Sequence, residues 1–424
     1  MNFIKAIFNI REIFFPLFLW VFIFIIYWSF SWFFNQPVNP IVYLMPVFFA
    51  FSLYVSFSIT SKYLVYNEPF GVKKNRNYLI PSLIGFLTVL IQFSSNLGNL
   101  GKDLSQIREG FQENFQNGFQ ETLFSYLFPL ILFSFIVVNF NNLKNKKVIN
   151  ILVLLSCIAF IPINGGRVNF LVFGSVYGAI FLFKKFESIK KSYIKSLMKF
   201  LFLFILVAIL GSLYGVLRTG KDNDQLVTAL SKIQHINSDV LFYLSRIPYN
   251  IGIIIIVFIN TFYDYTGGNV YYLSIFIDEF HKINFRTYGF YNFNFLDRLK
   301  IIDWMKTHDE IDKLYLNYDI KYNVWASFVR DFAIDFGIVG SFVVLILLGS
   351  LMFHTRKYLN QSHSAQVLFF LIFGFLLFSP FHSLFFVTRV YGITFFISLV
   401  LFVRFKYINS NKVRRINNNS YNVR

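Results

Sequence analysis

Apolar runs of about 20 residues recur along nearly the whole chain, from Ile13 to Phe34 at one end to Thr388 to Val403 at the other. Only 14% of the 424 residues are charged and 56% are hydrophobic, roughly half the charged share of an ordinary soluble domain. Mean hydropathy is +0.56. A soluble globular fold is thereby excluded, and the expected class is an all-α polytopic integral membrane protein. The 60 Phe are read as the bias of an A/T-rich coding sequence rather than as a functional signal.

A net charge of +18 would point to nucleic acid in a soluble protein. Here the basic residues sit in short clusters between apolar runs, which is how topology signals are arranged, and no nucleic-acid partner is expected. The single cysteine, Cys157, lies inside an apolar run, so no intramolecular disulfide and no Cys/His metal or redox site is expected. The first run is too long for a signal-peptide core and lacks a small-x-small cleavage site; it is expected to stay as the first transmembrane helix.

Ten segments can be drawn: Ile13 to Phe34, Val38 to Thr60, Tyr78 to Leu97, Thr122 to Phe140, Val148 to Ile163, Val168 to Phe183, Leu197 to Leu217, Phe332 to Phe353, Gln366 to Phe386 and Thr388 to Val403. Placing the N-terminus inside puts 23 Lys/Arg against 3 acids (Glu12, Glu68, Glu187) on the cytoplasmic side, and 16 Lys/Arg against 18 acids outside. This is the positive-inside pattern, and it predicts ten crossings with both termini cytoplasmic. The organisation is then a seven-helix region (1–217), a large extracytoplasmic lobe (218–331), a three-helix region (332–403) and a basic cytoplasmic tail (404–424). The lobe carries 12 basic and 13 acidic residues, and a loop of that length is expected to be functional. Within it, 251–262 is too short to span and suits an interfacial or re-entrant helix. The loop 98–121 places Phe111, Phe115 and Phe119 at helical spacing and reads as a surface helix resting on lipid. The tail from Asn409 is expected to be disordered and drawn to lipid.

Ionisable groups at membrane depth cost about 2.5–3.5 kcal/mol each on insertion scales, so embedded ones are the first candidates for function. Arg167 follows Asn164-Gly165-Gly166, and Arg389 precedes Val390-Tyr391; each sits at an outer turn. Positive-inside statistics disfavour Arg there, which suggests a job, with a snorkelling anchor as the plainer alternative. The stretch Asn323 to Gly340 leads from the lobe into the eighth helix. Asp331 and Asp335 share a helix face there with Ser327, near Arg330. A local ion pair with a Gly337-x-x-Gly340 packing surface would also explain that pattern. Outer guanidiniums converging on one place would bind a diphosphate with paired contacts that Lys cannot imitate. Arg218 is a reserve cation. His382, in Ser379-Pro380-Phe381-His382-Ser383, is a weaker candidate base or phosphate ligand. No Walker loop, HExxH, GxSxG or poised DxD pair is present, so no metal or nucleotide cofactor is expected.

The layout of many helices with one large late outer loop resembles the O-antigen and capsular polysaccharide polymerases of the Wzy type. Two stretches carry the likeness. Gly165-Gly166-Arg167 runs into an apolar helix with ten residues between Arg167 and Gly178, similar to the family's Arg-x10-Gly pattern. Asn323 to Gly340 is similar to the family's Asn-Val-x-x-x-x-x-Arg-Asp-Phe-x-x-Asp-Phe-Gly-x-x-Gly start of the helix after the loop. A second Arg-x10-Gly is absent, because only nine residues separate Arg330 from Gly340.

The resemblance implies a metal- and nucleotide-independent glycosyltransferase of the bacterial cytoplasmic membrane. It would move a growing glycan between undecaprenyl-diphosphate-linked oligosaccharides on the outer face, with a chain-length regulator as an optional further partner. On that reading Arg167, Arg389 and Arg330 stabilise the departing diphosphate. Asp335 or His382 takes the acceptor proton, and Asn164, Tyr391 and Arg218 contact substrate. The competing readings are a lipid-linked-glycan flippase, whose folds show repeats and broken helices near the midplane, and an O-antigen ligase with the same donor.

Overall fold

The computed structural model describes residues 10–31, 38–61, 77–96, 126–164, 167–188, 267–283, 327–380 and 389–421, with single positions elsewhere (3, 246, 255, 263, 287, 288, 310, 311, 313–315, 318, 383 and 384). Among the described residues every regular element is helical. The principal helices are α1 (Arg11–Phe30), α2 (Met45–Ser61), α3 (Leu79–Asn96), α4 (Pro129–Asn141), α5 (Lys146–Asn164), α6 (Arg167–Ser188), α7 (Gly268–Glu279), α8 (Phe328–Arg356), α9 (His363–Phe378) and α10 (Arg389–Tyr421). Among the described residues, four stretches are long and apolar enough to cross a bilayer: Glu12–Phe30, Pro40–Ser61, Phe328–Arg356 and Val390–Asn409. Leu79–Ser94, Pro129–Asn141, Asn169–Lys184 and His363–Phe378 are shorter apolar helices. The protein is a helical membrane protein. The seventh drawn segment (197–217), the loop 98–121 and nearly all of 251–262 lie outside the described residues.

Two elements depart from the sequence reading. The ninth apolar segment of the sequence extends to Phe386, whereas α9 ends at Phe378. The residue before a proline is pushed out of the helical region, and Ser379 precedes Pro380, so the helix stops there. The tail was expected to be disordered from Asn409, whereas α10 runs on to Tyr421. No Gly or Pro interrupts the sequence beyond Gly392, and extending an existing helix fixes one residue per added bond without a new nucleus.

The chain divides into two compact units. The first comprises Met1–Val55, Phe181–Leu347 and Leu376–Val387. In it α7 packs on α1 and on the short 3-10 helix Pro40–Leu44. Asn39, which precedes that 3-10 helix, donates from its backbone N–H to Ser274 Oγ at 2.6 Å and from its side chain to Asp278 Oδ1 at 2.5 Å, securing α7 at both points.

The second unit comprises Ser56–Ile180, Leu348–Phe375 and Thr388–Arg424. Its centre is α3, α4 and α5, with α10 against α4. Gly85 permits the close approach of α3 and α4, since a Cβ there would lie 3.1 Å from Ile131. Polar side chains tie the apolar helices together: Asn139 of α4 donates to Asn150 of α5 at 2.8 Å, and Asn141 donates to Gln366 of α9 at 2.8 Å. In lipid no hydrophobic effect drives one helix onto another, so close packing and amide pairs of this kind fix which faces meet.

Candidate functional site

The first turn of α8 is held on all sides. Ser327 caps it, its Oγ accepting the backbone N–H of Val329 at 3.2 Å. The backbone N–H of Phe328 donates to the Ser379 carbonyl at 2.8 Å, so the oxygen released where α9 stops before Pro380 satisfies a donor that the start of α8 leaves open. The Phe328 ring sits between Trp20 of α1 and Phe49 of α2, with centroids 6.4 and 5.8 Å away.

On that base sits a buried charged cluster. Arg330 is 2% exposed, and Asp331 and Asp335 are fully buried. The Arg330 guanidinium places both Nε and Nη2 on Asp331 Oδ1, at 2.9 and 2.8 Å. The other carboxylate oxygen, Oδ2, accepts the backbone N–H of Ser383 at 3.0 Å. Asp335, one turn further on, accepts the Thr287 hydroxyl at Oδ1 over 2.5 Å. Asp331 and Asp335 therefore share a helix face as their spacing predicts, and the local ion pair anticipated from sequence is present. Removing one member of a buried pair leaves an uncompensated charge, which typically costs about 3–5 kcal/mol.

The helix breaks just beyond the cluster. Gly337 has φ 79° and ψ 165°, a region open essentially to glycine alone, so its role is a break rather than the packing surface considered from sequence. Carbonyls beside the break take donors from elsewhere: Thr287 N–H reaches Ile334 O at 3.4 Å and Tyr288 N–H reaches Asp335 O at 3.3 Å. Ser341 Oγ donates to Gly337 O at 3.1 Å and to Val329 O at 3.2 Å. The helix after the break, 338–356, is about 28 Å long at 1.5 Å per residue, close to the hydrocarbon thickness of about 30 Å. By length alone, then, the part of α8 after the break could cross the hydrocarbon core without the residues before it.

One guanidinium against two carboxylates gives these three residues a formal charge of −1. The cluster thus offers hydrogen-bond acceptors more readily than an anion site. Arg167 and Arg389 are differently placed, each being the first residue of its helix, α6 and α10. The unsatisfied N–H groups and dipole at a helix start favour bound anions. The side chains of Asn164, Arg167 and Arg389 lie outside the described residues, as do His382 and Arg218 altogether. Tyr391 is fully buried and donates its hydroxyl to the Leu371 carbonyl, joining α10 to α9. Among the described residues no group of three His, Cys, Asp or Glu could hold a metal ion.

Sequence reasoning missed Thr287 and Ser383, which lie 48 and 52 positions from their aspartates; no spacing rule links residues so far apart. It also passed over Asn139, Asn141 and Asn150, whose signal was available as polar side chains within or beside apolar runs. No protein-family model, curated protein or solved structure matches this chain, and the reading of the site therefore rests on its residues and their geometry.

Proposed function

We propose that this chain is a polysaccharide polymerase of the bacterial cytoplasmic membrane. It crosses the bilayer ten times with both termini inside and joins undecaprenyl-diphosphate-linked oligosaccharide repeat units at the outer face. The observation that carries the reading is the buried Arg330, Asp331 and Asp335 cluster, built beside a helix break and tied to Thr287 of the large polar segment. This is where the stretch that resembles the Wzy-type polymerases, Asn323 to Gly340, concentrates its charges.

The anion-binding role falls to Arg167 and Arg389, whose helix-start positions add backbone donors to the guanidinium fork. They stabilise the charge that develops as undecaprenyl diphosphate departs. Arg330 is already balanced by Asp331, and we assign it to holding the start of α8 in place of a diphosphate contact. The base that takes the acceptor proton is Asp335 or His382. The test is whether purified protein in lipid lengthens lipid-linked repeat units with a chelator present and no nucleotide sugar added; strict dependence on a divalent ion overturns the mechanism.

One observation favours a flippase instead: a broken helix carrying buried charge is a transporter device. Those breaks lie near the midplane, whereas here the helix after the break, 338–356, is by itself about long enough to cross the hydrocarbon core. Movement of unextended repeat units across vesicles, with no lengthening, would select that second reading.

A further inference from the structure

At the other end of α8 a second group of side chains stands apart from everything above. Lys406 Nζ lies 2.8 Å from His354 Nε2 and 5.8 Å from the centre of the Tyr358 ring. Both partners are uncharged, because an imidazole nitrogen that accepts from an ammonium carries no proton. Its other nitrogen is then a donor. The group is held by aromatic packing, with Phe402 centred 5.9 Å from His354 and 5.6 Å from Tyr358. All of these residues belong to the second unit.

The charge here is one-sided. Lys357, whose Nζ donates to the Thr60 carbonyl at 3.4 Å, is held below the usual lysine range by burial and then by the nearby Lys406 charge. The described residues of this unit include Arg356, Lys357, Arg404 and Lys406 but no Asp or Glu. Lys406 is exposed and lies in the last turn of the apolar stretch Val390–Asn409, the depth at which lipid headgroups begin. A cation held over an aromatic ring beside another cation is stabilised by an anion that approaches it.

We propose that His354, Tyr358 and Lys406, with Lys357 beside them, form a binding site for a phosphate group, supplied by the headgroup of an anionic lipid in the leaflet on the C-terminal side of α10. The ammonium, the phenol hydroxyl and the second imidazole nitrogen are the donors. The site is independent of the transferase reading.

Full-length protein in neutral detergent is titrated with dioctanoyl phosphatidylglycerol, dioctanoyl phosphatidylcholine or inorganic phosphate, and occupancy is read by native mass spectrometry. Phosphatidylglycerol is expected to bind about tenfold more tightly than phosphatidylcholine. Lys406→Gln should weaken it about fivefold to tenfold, while Lys406→Arg stays near wild type, since a cation near the headgroups is worth about 1 kcal/mol. His354→Ala gives a second reading if Lys406→Gln does not purify as a monodisperse protein. Displacement of phosphatidylglycerol by millimolar inorganic phosphate would keep the phosphate chemistry and assign a soluble source. Unchanged binding in a monodisperse Lys406→Gln protein, or an equal loss in the control Lys146→Gln/Lys147→Gln, would overturn the site.

Discussion

Thr287 and Asp335 are 48 positions apart in sequence and joined by one buried hydrogen bond, Oγ1 to Oδ1 at 2.5 Å. Together with the Thr287 and Tyr288 N–H bonds to the carbonyls of Ile334 and Asp335, it fastens part of the long segment between the membrane regions to the start of α8.

Thr287→Val removes the donor and keeps the shape. A buried acceptor that loses its partner typically costs about 1–3 kcal/mol. Thermal unfolding in detergent should therefore show Thr287→Val less stable than wild type and Thr287→Ser close to it. Equal stability of the Val and wild-type proteins would mean that Asp335 does not depend on this hydroxyl.

Gly337→Ala tests the break. No heavy atom lies within 4 Å of a Cβ built there, so crowding adds nothing and the backbone alone sets the cost. Holding a non-glycine residue at φ 79°, ψ 165° costs about 1–3 kcal/mol. A destabilised Gly337→Ala is expected in denaturant unfolding, whereas a neutral or stabilised variant would indicate that α8 runs unbroken.

Glu279 supplies a pH prediction outside the spanning helices. A hydrogen bond from Lys282 is the main cause that holds its carboxyl below the usual range, and a second comes from Tyr318 at 2.8 Å. The same contact helps push Tyr318 up to about 12. A depressed carboxylate contributes stability that is present above its unfolded pKa and lost as pH falls through the folded value. A raised phenol contributes below its unfolded value and loses that as pH rises toward 12. Hydrogen exchange of α7 should be protected at neutral pH and lose protection on both sides of it, and Glu279→Gln should flatten the acid limb. An acid limb unchanged in Glu279→Gln would assign the loss to other groups.

How far the sequence reveals this molecule depends on the range of the interaction. The cores of α1, α2, α8 and α10 were legible because a long apolar run has few alternatives to a spanning helix. A local ion pair involving Arg330 was legible as a possibility, but side chains at i and i+1 point about 100° apart on a helix, so it is the fold that brings Arg330 onto Asp331. Pro380 is the stop signal that ends α9 short of Phe386, and its apolar surroundings mask it in the sequence. Gly337 was ambiguous in principle: a glycine in an apolar helix serves packing more often than a break, and here the break is supported by Thr287, Tyr288 and Ser341, whose partnership only the tertiary fold creates.

The proposed function requires guanidiniums, and not simply any cation, at the departing diphosphate, and Arg167→Lys separates the two. Losing one preorganised donor at a developing charge costs roughly 10²–10³ in rate, and an ammonium replaces the paired guanidinium contacts poorly. Wild-type and Arg167→Lys proteins, matched for abundance and monodispersity, are supplied with lipid-linked repeat units, and the glycan lengths formed are measured. Long glycans are expected from wild type and almost only single repeat units from Arg167→Lys; equal chain lengths would show that Arg167 is a membrane anchor and would overturn the assignment.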